Sequence, residues 1–294
     1  MIRVAVLGAG RIGKIHAGNV ALNPRCKLIA VADPAEDAAR ALAESLGAEA
    51  AASAGATIAR KDIDAIVVGS PTDTHIDFTL EGARRGKAVL CEKPIDLDIR
   101  KADAAVAEIE KLGAKVMIAF NRRFDPSAAA LKQAVASGAM GDVHQVVITS
   151  RDPSPPPPTY TNSGGIFRDM TIHDFDMARF LLGQEPVEVM ASGSCLVDPA
   201  IGAGGDYDTV MVILKTGSGS QCHINNSRKA VYGYDQRFEV FGSRGMLLND
   251  NLRATTLRSY AEDHTEKREP LLNFFLERYE AAYRLELDAF IDAL

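Results

Sequence analysis

The run Ile2-Arg3-Val4-Ala5-Val6-Leu7, followed at once by Gly8-Ala9-Gly10-Arg11-Ile12-Gly13 and then by Lys14 to Leu22, decides the fold. The first six residues are rich in β-branched types and read as a buried strand, and the last nine read as a helix. A glycine loop between them has a physical task. Gly8 permits the tight turn, Gly10 lets the backbone approach a pyrophosphate, and Gly13 lets the helix pack close to the strand. A diphosphate over the helix N-terminus meets free N–H groups and the positive end of the helix dipole. A second apolar run, Lys27 to Ala32, ends at Asp33, twenty residues past Gly13. A dinucleotide fold places an acid there for the adenosine ribose hydroxyls. A carboxylate at that point accepts from a 2′-hydroxyl and repels a 2′-phosphate, and Pro34-Ala35-Glu36 offers no arginine. The reading favours NAD over NADP, with dual specificity left open to side chains from elsewhere.

Strand-like and helix-like stretches alternate to about Phe120. Helices are expected over Ala35–Leu46, Asp73–Arg85 and Asp98–Leu112, each stopped by a glycine, and strands over Ala65–Gly69, Ala88–Cys91 and Lys115–Ala119. This alternation indicates a parallel sheet with helices on both faces, whose ligands bind beyond the carboxyl ends of the strands. Two strand ends carry chemistry. In Ser70-Pro71-Thr72-Asp73-Thr74-His75, Pro71 ends the strand and Thr72 or Asp73 is placed to cap the next helix beside the cofactor. His75 reads as a packing or hydrogen-bonding residue in the helix's first turn. In Cys91-Glu92-Lys93-Pro94, two charges stand at the end of a buried strand. Lys93 there either polarises a substrate oxygen or forms a surface ion pair with a neighbour.

The remaining numbers exclude more than they assign. The chain has 294 residues and a net charge of −6, with no basic run, which argues against a nucleic-acid surface. No apolar stretch approaches membrane-spanning length, so no membrane role is expected. Four cysteines, Cys26, Cys91, Cys195 and Cys222, form no CxxC pair or zinc spacing and read as reduced thiols of a cytoplasmic protein. The N-terminus enters the first strand directly, leaving no room for a signal peptide.

The loop Gly8–Gly13 with His16, the stretch Pro71–His75 and Glu92-Lys93-Pro94 together resemble the glucose–fructose oxidoreductase/inositol dehydrogenase/rhizopine catabolism (Gfo/Idh/MocA) family. Asn121-Arg122-Arg123-Phe124-Asp125 resembles that family's arginine-rich turn. Gly164 to Asp176, containing Asp169 and His173, resembles its inositol dehydrogenase branch. The resemblance implies a Rossmann domain over residues 1–120 and an α+β domain with a large open, mostly antiparallel sheet over 121–294. It implies an oxidoreductase of inositol catabolism acting with NAD on a cyclic polyol, with Lys93, Asp169 and His173 as the catalytic set. Gly8, Gly10, Arg11, Ile12, Gly13, Asp33, Ser70, Pro71, Thr72, His75, Glu92 and Lys93 are then the expected cofactor-binding residues. The family is typically dimeric or tetrameric through the second sheet, so a homotetramer or dimer is expected. Its members usually continue beyond the equivalent of Leu294 with a stretch that packs back on the first domain.

In the second half, Pro126–Ser137 reads as a helix and Val143–Ser150 as a strand. Arg151–Gly165 holds Pro155 to Pro158 and Tyr160, and proline cannot donate to a sheet, so a stiff loop at the rim of the site is expected. Met170–Leu182 has helical periodicity, and residues four apart share a face, so Asp169, His173 and Asp176 form one polar stripe. A histidine beside a carboxylate is the arrangement of a general base; a capped helix with a core histidine, or a metal site, are the other readings. No third histidine or cysteine is near, so no metal is assigned. Strands are expected over Val187–Gly193, Thr209–Leu214, Gln221–Asn225, Arg237–Phe241, Met246–Leu248 and Arg253–Arg258, and a closing helix over Phe274–Leu294. Arg123, Asp152 and Tyr232 are candidate binders of substrate hydroxyls. The rival functions are a dehydrogenase for another sugar or sugar acid and a non-catalytic sensor of dinucleotide and sugar.

Overall fold

Residues 1–157 and 164–294 are described by a computed structural model of the chain. The first half runs β1 (Ile2–Leu7), α1 (Arg11–Leu22), β2 (Cys26–Ala32), α2 (Glu36–Ser45), β3 (Glu49–Ala51), α3 (Ala54–Ile58), β4 (Ala65–Val68), α4 (His75–Arg84), β5 (Ala88–Glu92), α5 (Ile99–Leu112) and β6 (Val116–Ala119). The second half runs α6 (Pro126–Ala136), β7 (Val143–Arg151), α7 (Ile172–Leu182), β8 (Pro186–Ser194), α8 (Pro199–Ala203), β9 (Thr209–Thr216), β10 (Gln221–Ser227), β11 (Asp235–Gly242), β12 (Gly245–Asn249), β13 (Arg258–Ala261), β14 (His264–Arg268), α9 (Phe275–Arg278) and α10 (Glu280–Asp292).

The chain divides into two units: residues 1–121 with 283–294, and residues 122–282. The last twelve residues, grouped by sequence with 121–294, therefore belong with the first unit. Leu287, Phe290 and Ile291 of α10 pack in one apolar cluster with Val20 of α1 and Leu28 of β2. Asn23 Nδ2 donates to Asp288 Oδ1 at 2.9 Å, and Arg25 donates to the same carboxylate at 2.6 Å.

In the first unit six parallel strands lie in the order β3-β2-β1-β4-β5-β6. Strands β1, β4 and β5 are buried along nearly their whole length, as continuous Val/Ile/Leu runs with helices on both faces require. The order reverses between β1 and β4, so the crevice beyond their carboxyl ends is flanked by Gly8–Gly13 and Gly69–Thr72. The short β3 and α3 have no counterpart in the sequence reading, because Glu49-Ala50-Ala51 carries neither periodicity nor β-branched residues.

In the second unit six strands lie in the order β12-β11-β7-β10-β9-β8, with β7 and β10 parallel and the other four pairs antiparallel. Helices α6 and α7 cover one face of this sheet, with Leu131, Met177 and Leu181 packed on Val146, Ile148 and Ile224. The strand expected at Arg253–Arg258 is absent apart from one bridge, Arg253 to Leu271; a small exposed hairpin, β13–β14, follows it. The single helix expected over Phe274–Leu294 is broken at Tyr279 into α9 and α10. The proline loop falls partly, and Tyr160 wholly, on 158–163, outside the described residues.

Candidate functional site

The glycine loop has the shape its sequence requires. Gly8 sits at φ +112°, and a Cβ there would lie 2.4 Å from the Gly69 carbonyl oxygen. A Cβ on Gly13 would lie 2.0 Å from the Gly8 carbonyl oxygen, whereas one on Gly10 would meet nothing within 4 Å. The first and last glycines thus serve the protein's own packing, and the middle one leaves open the approach to the start of α1. Gly10 is the N-cap of α1, and no acid stands in the first turn, so its N–H groups face no competing charge. Arg11 is exposed there, and Ile12 packs towards Gly69. Asp33 is fixed from both sides: Ala9 N donates to Oδ2 at 2.7 Å and Ala35 N to Oδ1 at 2.8 Å. The carboxylate stays half-buried at the end of β2. These residues fit a dinucleotide without a 2′-phosphate.

Around Ser70, the structure departs from the expected cap. Pro71 precedes a 3₁₀ turn, Thr72–Thr74, and neither Thr72 nor Asp73 caps a helix through its side chain. Thr74 Oγ1 instead lies 2.6 Å from Ser70 Oγ and 2.7 Å from the Pro71 carbonyl. His75 is buried, with Nδ1 2.8 Å from the Pro94 carbonyl and Nε2 2.9 Å from the Ser70 carbonyl. Its side chain ties the loop after β4 to the turn after β5, and so is a brace and not an open ligand group.

Glu92, also expected at the cofactor, is buried at the end of β5, and its Oε1 lies 2.8 Å from His16 Nε2 of α1. Glu286 of α10 is fully buried on the same unit, with neither carboxyl oxygen hydrogen-bonded among the described residues. Burial, and after it the neighbouring charge of Glu92, pushes the Glu286 carboxyl well above the usual range. Lys93 follows Glu92 and is half-buried, at a cis bond to Pro94.

The second unit holds Asp169 and His173. Asp169 lies in a π-helical turn, Phe167–Thr171, that runs directly into α7, which carries His173 in its first turn. Single π turns inside helices recur at functional sites. Arg228, which follows β10, donates from Nη1 to Asp169 Oδ2 at 2.9 Å and lies 3.5 Å from Asp152 Oδ2, just past the end of β7. Burial pushes the Asp152 carboxyl up to about 6, against the pull of Arg228.

Behind this group lies a polar layer. Arg122 donates to Asp174 at 2.7 Å, with both side chains almost wholly buried. Asn226 Nδ2 donates to the other Asp174 oxygen at 2.7 Å, and Thr171 donates to Asn226 Oδ1 at 2.7 Å. The sequence reading passed over Asp174 and Arg228. Of the expected stripe, Asp176 is taken up by Arg123 in a two-pronged pair at 2.7 and 2.6 Å. The Tyr232 hydroxyl donates to Asp235 at 2.7 Å and accepts from Arg151 at 2.6 Å. Arg123, Asp152 and Tyr232 are thus all engaged within the unit. Among the described residues no group of three or more His, Cys, Asp or Glu is placed to hold a metal, and no helix is long and apolar enough to cross a membrane.

Comparison with known proteins agrees with this geometry. Residues 2–120 match an oxidoreductase family with an NAD-binding Rossmann fold, and residues 128–248 match the GFO/IDH/MocA C-terminal domain. The chain is 52% identical over 294 residues to the inositol 2-dehydrogenase of Rhizobium meliloti (strain 1021), covering all of this chain and 88% of that protein. A solved structure of a myo-inositol dehydrogenase from Corynebacterium glutamicum superposes with a TM-score of 0.96 at 51% identity, covering 100% of this chain and 88% of that one. A scyllo-inositol dehydrogenase from Lactobacillus casei, solved with NAD(H) and scyllo-inositol bound, superposes with a TM-score of 0.92 at 30% identity over the same shares. With a dinucleotide crevice in one unit and an acid–histidine turn over a six-stranded sheet in the other, the chain belongs to the Gfo/Idh/MocA family of NAD-binding oxidoreductases.

Proposed function

We propose that the protein oxidises a ring hydroxyl of myo-inositol, or of a similar cyclic polyol, to the ketone with NAD. The observation that carries this is the whole-length 52% identity to an inositol 2-dehydrogenase, on a chain that presents Lys93 after β5 and Asp169–His173 at the start of α7. NAD bound at the glycine loop supplies the hydride acceptor. His173 takes the hydroxyl proton, as a general base must when hydride leaves the same carbon. Asp169 holds the imidazole in place and balances its charge once protonated. Lys93 donates a hydrogen bond to the reacting oxygen. Hydride transfer needs positioning and a base, and these three residues supply both.

The test is growth of NADH absorbance with NAD or NADP and myo-inositol, scyllo-inositol, glucose or galactose. Growth with NAD and an inositol is the expected result. The scyllo-inositol dehydrogenase among the structural relatives makes the stereoisomer an open arm of that panel. Lys93→Ala is expected to lower kcat about 100-fold or more while NAD still binds by fluorescence. Unchanged turnover in that variant removes Lys93 from the mechanism, and a flat trace on every polyol overturns the substrate assignment.

We also propose a homo-oligomer formed through the second sheet. The face of that sheet opposite α6 and α7 exposes Met190, Met211, Ile213, Phe241, Met246 and Leu248. Exposed apolar side chains at both flanks of that face, on β8–β9 and on β11–β12, support an association surface, and a second copy of the chain supplies the same side chains in return.

A further inference from the structure

Three strands of the second unit end in the same way. Along β10, the core-facing positions read Cys222, Ile224, Asn226, and the next in step is Arg228; all four are buried. Along β7 they read Val146, Ile148, Ser150, and the next in step is Asp152. Along β11 the row begins with Gln236 before Phe238 and Val240. Gln236, Ser150 and Asn226 are register partners across the three strands. The core face therefore changes from apolar to polar at one edge, and Arg228 and Asp152 stand outermost on it. A guanidinium that is only 4% exposed is costly to bury unless paired, and here it meets two carboxylates, Asp169 and Asp152.

We infer that Arg228 is a positioning residue for the reaction proposed above, fixing Asp169 behind His173 through a buried cation whose charge is shared with Asp152. The inference rests on Asp169 acting with His173. Two carboxylates on one arginine leave the cluster with a net negative charge, which favours the protonated imidazole that forms during turnover. Asp152 sets how much. Its carboxyl, raised to about 6 by burial, is lowered by Arg228 and by Arg122 and raised by Asp169. Tyr234 is the other titratable group coupled to it. Above that pH Arg228 is divided between two anions; below it, Asp152 is neutral and Arg228 belongs to Asp169 alone. Asp152 thus acts through Arg228, in contrast to a role as a substrate ligand.

The experiment uses the full chain, in kinetics and in a pH titration of the protein labelled with ¹³C at the aspartate carboxyls. Arg228→Gln is expected to lower kcat about 100-fold with KM for inositol nearly unchanged, as small displacements of a catalytic group do. Arg228→Lys is expected to restore at least about tenfold of that loss by returning the charge. Asp152→Asn is expected to lower kcat and not raise KM, and to remove the carboxyl that titrates near pH 6. That resonance is expected to move to higher pH in Arg228→Gln. If Arg228→Gln does not fold, Asp152→Asn and Arg228→Lys carry the test. A rise in KM with unchanged kcat in Asp152→Asn, or a carboxyl titration that ignores Arg228, overturns the inference. The titration reads the cluster even if no inositol is turned over, so failure of the substrate reading is seen separately. An Asp169→Asn variant that retains full turnover overturns the reading on which the inference rests.

Discussion

At the scale of single residues, the glycine loop separates two requirements that its motif merges. Gly13 is needed because a methyl group there would collide with the Gly8 carbonyl at 2.0 Å. Gly10 is needed by no neighbour within the protein, since a methyl group there meets nothing within 4 Å. Substitution by alanine is therefore expected to act in two ways. Gly13→Ala is expected to cost about 3 kcal/mol in urea unfolding, an overpacking effect against backbone. Gly10→Ala is expected to unfold like the wild type yet bind NAD about tenfold more weakly, a difference of about 1.4 kcal/mol by calorimetry. Equal stability loss in both variants would mean that the loop is only a structural turn. The motif and its twenty-residue spacing to Asp33 were legible because each glycine answers to backbone geometry, which a sequence states directly. His75 was legible as a packing or hydrogen-bonding residue, but its partner at the Pro94 carbonyl and the pairing of Glu92 with His16 were not, because those partners come from other loops and helices.

At the scale of elements, the end of β5 is held by two helices. His16 of α1 pairs with Glu92, its ring edge-on to Tyr283 with centroids 5.8 Å apart, and Glu286 of α10 is buried beside them. Burial, and after it the charge of Glu92, raise the Glu286 carboxyl in the folded protein well above its usual range, so folding favours its protonated form. In the unfolded chain it ionises at about 4.3. A carboxyl whose folded-state value is raised contributes stability below the unfolded value and loses it as the pH climbs towards the folded one. Glu286→Gln is thus expected to have a higher urea midpoint than wild type at pH 8, with the gap closing near pH 4. A gap that is the same at both pH values contradicts a raised Glu286 carboxyl. The π turn explains another limit of sequence reading. A helical wheel steps by 3.6 residues, but Phe167–Thr171 is wound with i→i+5 bonds, so the wheel drawn from Asp169 loses phase before α7 begins. Asp174, the acid buried against Arg122, was passed over because its partner stands 52 residues away in the sequence. Arg228 was readable: the period-2 row from Cys222 places it on the core side, where a charge demands a partner.

At the scale of the whole molecule, the apolar side chains exposed on the outer face of the second sheet argue for association. Met211 and Ile213 of β9 lie among the exposed apolar side chains of this face. The wild type is expected to sediment as a dimer or tetramer, and a Met211→Asp, Ile213→Asp double variant as a monomer. Unchanged sedimentation would leave that face without a partner copy. The plan of two successive units was legible from alternation of strands and helices, and then of strands alone. The membership of the last helix was not, since α10 is separated from α1 and β2 by the whole of the second unit, and nothing local in Tyr283–Leu294 names its neighbours.

That membership has a consequence for how the protein is made. The second unit is spliced into the first, entering after Asn121 and leaving before Tyr283. A ribosome therefore releases all six strands of the dinucleotide sheet long before it releases the helix that seals Val20 and Leu28 and clasps Arg25. While the second unit is being made that flank stays uncovered, and the cofactor half, though first to be translated, is closed only after the second unit has been made.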